Sequence, residues 1–187
     1  LQYVLNRSYR EYIDIDNTKL LWLDEFQSFI WCRGFNKAER FLLHYGSFTE
    51  RKGTLQILRA AVQSQTIRLV LIGSFHDDIR DEAQSLIELS NGRVRHFKYH
   101  KDRLNSALSA CSGIVALYSN NNQSSALVEM AISLGLPVAV KNDGFLAYRV
   151  KEYRLGVLIN NEEIIQSSLE HMLLMNIQTS VRELNNI

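Results

Sequence analysis

Tyr118–Val140, YSNNNQSSALVEMAISLGLPVAV, is the stretch on which the fold turns. An apolar run, Gly113 to Tyr118, enters it as a strand. A polar loop, Ser119 to Gln123, follows. Ser124 to Leu134 reads as a helix, Gly135 stops it, and Pro137 to Val140 opens another strand. Within that helix one charge, Glu129, sits among Ala126, Leu127, Val128, Met130, Ala131 and Ile132. A helix apolar nearly all round is a buried helix. A carboxylate on it is costly unless it faces a polar cleft or finds partners. Glu129 is therefore expected near the C-terminal edge of a sheet, at the mouth of a crevice, where open α/β folds bind ligands.

The same grammar extends in both directions. Phe41 to Tyr45 reads as a strand ending at Gly46, and Ile67 to Ile72 as a strand ending at Gly73. Lys52 to Gln63 carries Leu55, Leu58, Ala61 and Val62 at helical spacing. Asp77 to Leu89 is a helix with two acids in its first turn, as the macrodipole favours. Val94 to Tyr99 is a strand, Lys101 to Ala110 a helix, and Ser112 to Tyr118 a strand. Beyond the central helix come a short helix, Phe145 to Glu152, a last strand, Gly156 to Ile159, and a helix, Glu162 to Met175. Such alternation predicts an α/β fold: a doubly wound, mostly parallel six-stranded sheet, Rossmann-like, with helices on both faces. Residues 1–35 are less regular and rich in aromatics. Leu1 to Tyr12 and Asp24 to Trp31 suggest helices and Lys19 to Leu23 a strand. The expected division is a linker or interdomain segment at 1–37 and the α/β domain at 38–187.

Composition narrows the function. A chain of 187 residues suits one domain, and an apolar fraction of 46% supports a real core. A net charge of +1 calls for neither nucleic acid nor an anionic membrane. Cys32 and Cys111 have no metal or disulfide spacing and read as reduced thiols of a cytoplasmic protein. No apolar run approaches the roughly 18 residues that span a bilayer. The chain opens on Leu1 without a signal-like segment or an initiator Met, so an excised piece of something longer is expected. His76 with Asp77, Asp78 and Asp81 imitates a metal cluster, but helix-start charges account for it, and no metal site is expected. His44 and His96 lie in strands and read as structural. No nucleophile and base stand in triad-like order.

In a doubly wound sheet the strand-to-helix loops share one edge. Here that edge collects Gly46 to Gly53, Gly73 to His76, Tyr99 to Lys101, Ser119 to Ser125 and Lys141 to Gly144. Glycine, hydroxyl and basic residues gather where helix N-termini point. Amides at a helix start bind anions through a partial charge of roughly +0.5, and Ser124, Ser125 and Ala126 form such a start. Lys52 supplies a point charge for phosphate. Glu129 accepts hydrogen bonds from a sugar diol, each worth about 1.5–3 kcal/mol to a charged acceptor. The set suits a phosphorylated sugar or a nucleotide.

Taken in order, these segments resemble the donor-binding C-terminal domain of GT-B glycosyltransferases, specifically glycosyltransferase family 4. Gly46 to Gly53 with Arg59-Ala60-Ala61 is similar to the family's "G-R-L-x-x-x-K-G … A". Leu69 to Gly73 resembles its "L-x-I-x-G" strand, and Leu104 to Tyr118 its "L … A-D-x-x-V-x-P-S". Ser119 to Val140 resembles "S-x-x-E-G-F-G-x-x-x-x-E-A-x-A-x-G-x-P-V", with Glu129, Gly135, Pro137 and Val138 in place. Leu155 to Ile159 before an acidic helix resembles "G-x-L-V … D/E". The likeness covers about residues 38 to 175. It implies that Lys52, with Gly46, Ser47 and Arg51 around it, contacts a donor diphosphate. The amides of Ser124 and Ser125 would meet the phosphates, Glu129 the ribose hydroxyls, and loops at Gly73 and at Tyr99 to Lys101 the base. It further implies hexose transfer from a nucleotide sugar, usually with retention, without a cofactor or an obligatory metal. The acceptor, a glycan or a lipid-linked sugar, would be held by an N-terminal domain, and the chain by itself would be inactive.

Several positions depart from the family pattern. Its diphosphate arginine is Ser47 here, with Arg51 as a substitute from another register. The first glutamate of its E-x7-E pair is Asn121, which is able to hydrogen-bond a sugar hydroxyl but cannot be charged. Its Gly-Phe-Gly is Asn122-Gln123-Ser124, its Asp is Ser112, and its Pro before Ser119 is Tyr118. Nucleotide binding survives these changes better than catalysis. Two other readings stay open: a degenerate half acting as a binding or assembly module, and a nucleotide-sugar epimerase. The expected location is cytoplasmic, with the inner membrane face as a peripheral alternative.

Overall fold

A computed structural model describes residues 40–119 and 125–174. The elements expected in residues 1–35 and the interdomain segment at 1–37 fall outside them, as do site residues Asn121 and Ser124. Six strands alternate with helices: β1 (Leu42–Phe48), α1 (Thr54–Gln63), β2 (Leu69–Phe75), α2 (Asp77–Leu89), β3 (Val94–Phe97), α3 (Lys101–Ala110), β4 (Gly113–Ala116), α4 (Ala126–Leu134), β5 (Val138–Lys141), α5 (Gly144–Tyr153), β6 (Gly156–Ile159) and α6 (Ile165–Leu174). The sheet order is β3-β2-β1-β4-β5-β6 and every pairing is parallel.

Strand residues alternate between two cores because successive side chains point to opposite faces. Leu42, Leu69 and Leu71 pack on one face with Ile57, Leu58 and Ala61 of α1, Ile79 and Ala83 of α2, and Leu169 and Met172 of α6. Leu43, Val70, Ile72 and Ile114 pack on the other with Leu104 and Leu108 of α3, Leu127, Val128 and Ala131 of α4, and Leu146 and Val150 of α5. Both faces being covered, the inner strands β2, β4 and β5 read as apolar runs. The chain winds outward from β1 through β2 to β3, then returns to β4 and winds the other way. The reversal leaves a crevice at the C-terminal ends of β1 and β4, the switch point of an open sheet.

The local differences from the sequence reading lie at this edge. β1 and β2 do not stop at their glycines. They stay paired through Gly46↔Gly73 to Phe48↔Phe75. The glycines are inside the ladder because the backbones come too close for a side chain: a Cβ on Gly73, at φ +153°, would lie 1.8 Å from the Gly46 carbonyl oxygen. The helix expected from Lys52 is broken in two. Glu50–Lys52 form a 3-10 turn, Gly53 takes the left-handed conformation at φ 68°, and α1 begins at Thr54. A Cβ on Gly53 would lie 2.7 Å from the Leu117 carbonyl oxygen, so the turn is pressed against the end of β4. Similarly, Glu162–Ile164 is a 3-10 turn ahead of α6.

Candidate functional site

The crevice is built by three segments that leave the sheet edge together. The 3-10 turn after β1 carries Arg51 and Lys52. The Ser119 amide donates to the Arg51 carbonyl at 2.8 Å and ties that turn to the end of β4. The Lys52 side chain folds back over β1. Its Nζ occupies the space that a side chain on Gly46 would take, 2.9 Å from where that Cβ would stand. The same Nζ lies 5.5 Å from the centroid of the Tyr118 ring. Burial, and then the neighbouring Arg51 charge, lower the Lys52 pKa. A cation held partly out of water with a like charge beside it gains when an anion arrives.

Tyr118 links Lys52 to the start of α4. Burial raises the pKa of its hydroxyl, and the nearby side chain of Ser125, the N-cap residue, opposes the rise. The Ser125 side chain makes no capping bond to its own helix, so the first-turn amides of α4 keep the donor capacity of a helix start. Lys141 at the end of β5 donates from Nζ at 2.7 Å to the Oγ of Ser119, the residue whose amide meets the Arg51 carbonyl. Two lysines and a helix N-terminus therefore face one crevice, an arrangement that attracts anions. On the other flank Tyr45 of β1 and Tyr99 after β3 stand 5.9 Å apart, with Tyr99 exposed.

Of the residues singled out from sequence, Gly46, Lys52 and Ser125 come together through Tyr118, with Arg51 beside Lys52. Ser47 is exposed inside β1, in register with Ser74, and Gly73 is buried in β2. Glu129 lies one turn into α4, its amide bonded to the Ser125 carbonyl at 2.9 Å. Its carboxylate is not alone on an apolar helix. Arg149 of α5 donates to Oε2 at 2.9 Å. The sequence places Lys141 on this edge but gives Tyr118 and Arg149 no role. Arg149 is 20 residues from Glu129, beyond any spacing rule within one helix, whereas Tyr118 stood out only as a departure from the family pattern.

Both strand histidines belong to the fold. His44 is fully buried; its Nδ1–H donates to the Val115 carbonyl at 2.8 Å and its Nε2 accepts the Thr54 hydroxyl at 3.0 Å. His96 Nε2 donates to the Gly73 carbonyl at 3.0 Å. His76 pairs with Asp78 at 2.9 Å, and Arg80 with Asp77 at 2.7 Å. Cys111 is a buried free thiol. Among the described residues no helix is long and apolar enough to cross a membrane.

The family described as "Glycosyl transferases group 1" has a sequence model that matches residues 26–185. No curated protein sequence matches the chain. Solved structures do. WaaG, a glycosyltransferase involved in lipopolysaccharide biosynthesis, superposes with a TM-score of 0.66 at 20% identity, over 90% of this chain and 44% of that one. HepE from Anabaena, in complex with UDP-glucose, gives 0.66 at 14% identity, over 90% and 49%. The C-terminal domain of LpcC from Francisella tularensis gives 0.63 at 13% identity, over 92% and 93%. This chain thus spans less than half the length of WaaG and HepE and nearly all of that C-terminal domain. At these identities the likeness is one of fold.

Proposed function

This chain belongs to the group 1 glycosyl transferases, and from that premise we propose that residues 38–187 are the donor-binding half of a glycosyltransferase. They hold a nucleotide-diphospho-sugar, and the longer parent transfers its hexose, with retention, to a glycan or lipid-linked acceptor bound by an N-terminal domain. Such a parent serves glycan or surface polysaccharide synthesis from the cytoplasmic side, and this chain alone does not turn over. One observation carries the reading. The Lys52 amine, half withdrawn from water, sits over Gly46 at the switch point, 5.5 Å from the centroid of the Tyr118 ring. There it meets a diphosphate together with the amides from Ser124 and Ser125 onward. Glu129, one turn deeper, accepts the ribose hydroxyls. Gly73 and the loop Tyr99 to Lys101 border the base. The donor is the substrate, and no cofactor or metal is invoked. HepE, which has this fold, was solved with UDP-glucose.

Calorimetry with UDP, GDP and their sugars tests the reading. One of them binds, and Lys52→Ala weakens it about tenfold or more, the loss of a charge-assisted phosphate contact. No binding by any of them, or an unchanged affinity in Lys52→Ala, overturns it. The exposed Ser47, standing where the family places an arginine, favours one second reading: a module that binds the donor without catalysis. Sugar transfer by the longer parent excludes that reading.

A further inference from the structure

Arg149 is tied down at three points. Nη2 donates to Glu129 Oε2 at 2.9 Å, Nη1 donates to the Tyr153 hydroxyl at 2.9 Å, and the guanidinium lies 4.5 Å from the centroid of the Tyr153 ring. The Arg149 and Glu129 side chains are 18% and 12% exposed. Arg149 Nε is buried without a partner among the described residues. A surface ion pair with mobile ends does little. This pair is sheltered, and its guanidinium plane is set by an aromatic ring and a hydroxyl rather than by solvent. A carboxylate whose one oxygen accepts from a guanidinium that is itself held in place has its rotamers narrowed, and its second oxygen is left to accept from a ligand.

We propose that Arg149 is a positioning residue of the donor site: backed by Tyr153, it holds the Glu129 carboxylate in the orientation that accepts the ribose hydroxyls. This rests on the reading of Glu129 as the ribose contact. A plain staple between α4 and α5 is the competing role, and the two differ in a measurable ratio. A staple, when lost, lowers stability and weakens every nucleotide equally. A positioning residue, when lost, erases the distinction between ribose and deoxyribose.

The 187-residue chain is titrated calorimetrically with UDP and GDP and with the 2′-deoxy and 3′-deoxy forms of each, while melting is followed in parallel. The wild type prefers the ribonucleotide about tenfold or more over a deoxy form, as expected when a charged acceptor loses a donor. Arg149→Gln and Glu129→Gln each shrink that preference to within about threefold, and the double variant shrinks it no further. Tyr153→Phe keeps the ring and removes the hydroxyl behind Nη1. It cuts the preference about two- to threefold, and it decides the matter if the Arg149 variant does not fold. A preference unchanged in the folded Arg149→Gln and in Tyr153→Phe overturns the proposal, whatever happens to melting. A wild type that binds ribo and deoxy forms equally overturns it too, by removing Glu129 from the ribose. A wild type that binds no nucleotide at all removes the donor-site reading itself.

Discussion

Acid destabilises this fold chiefly through His44 before its carboxylates titrate. His44 is enclosed between β1, β4 and α1 and keeps a neutral ring. Nδ1–H donates to the Val115 carbonyl, and Nε2 accepts from Thr54. Burial lowers its pKa from 6.5 to about 4; the Val115 carbonyl opposes this and the Lys52 charge adds to it. Below pH 6.5 the unfolded chain takes up a proton that the native ring refuses until about pH 4. Stability therefore falls as pH is lowered through that window and is restored above it. The whole gap is worth about 3 kcal/mol, and about 2 kcal/mol of it is lost between about pH 7.5 and about pH 5. That is a large share of the 5–15 kcal/mol typical of a domain. His96 adds to the same slope, since burial lowers its pKa as well, against the Gly73 carbonyl. Glu170, lowered by its hydrogen bond from Ser64 first of all, acts only below its ordinary 4.5. Urea unfolding at half-unit pH steps, with the histidine ring resonances followed by NMR, measures the effect. His44→Gln keeps a donor for the Val115 carbonyl and flattens most of the slope. A stability that is level from about pH 7.5 to about pH 5, or a native His44 ring that titrates near 6.5, refutes the account.

Three further outcomes follow from the geometry. Gly73→Ala places a methyl 1.8 Å from the Gly46 carbonyl oxygen at a positive φ. It costs upwards of about 2 kcal/mol in denaturant unfolding, and a variant as stable as the wild type removes the close approach of β1 and β2. The Cys111 thiol, buried, has its pKa pushed up to about 12. It stays unlabelled by an alkylating reagent at about pH 8 until urea is added, as peptide mass mapping reads out; labelling in the native protein contradicts its enclosure. Arg59 and Glu82 pair at 2.5 Å between α1 and α2, but both are about half exposed. Replacing either by Ala costs less than about 1 kcal/mol in thermal or urea unfolding, and a larger loss means that the pair is held more tightly than an exposed one should be.

The fold was legible because its signals are local. The inner strands β2, β4 and β5 are buried on both faces almost throughout and so read as runs, as in Leu69-Val70-Leu71-Ile72, while α1 and α2 show one apolar stripe and α4 is apolar nearly all round. The bounds of α2, α3 and β6 follow from the sequence to the residue. At the glycines the sequence misled. Gly46 and Gly73 read as strand ends, since glycine usually punctuates a strand. Only the neighbouring strand shows that they are interior positions where two backbones nearly touch. Gly53 likewise displaces the start of α1 because Leu117 stands against it.

The candidate site divides along the same line. The order of motifs along the chain placed Gly46, Lys52, Ser125 and Glu129 on one sheet edge, because parallel winding sends every strand-to-helix loop there. What each side chain does on that edge depends on contacts between distant segments. Lys52 folds over Gly46 toward Tyr118 rather than standing in a helical first turn. Glu129 has Arg149 as its partner, from a helix that no periodicity connects to it. Sequence by itself determined which loops lie on the strand-to-helix edge, since chain order and hydrophobic period fix the winding. Tertiary structure decided which charges meet, since electrostatic pairing follows distance through space and distance is set by how two helices pack on a shared sheet.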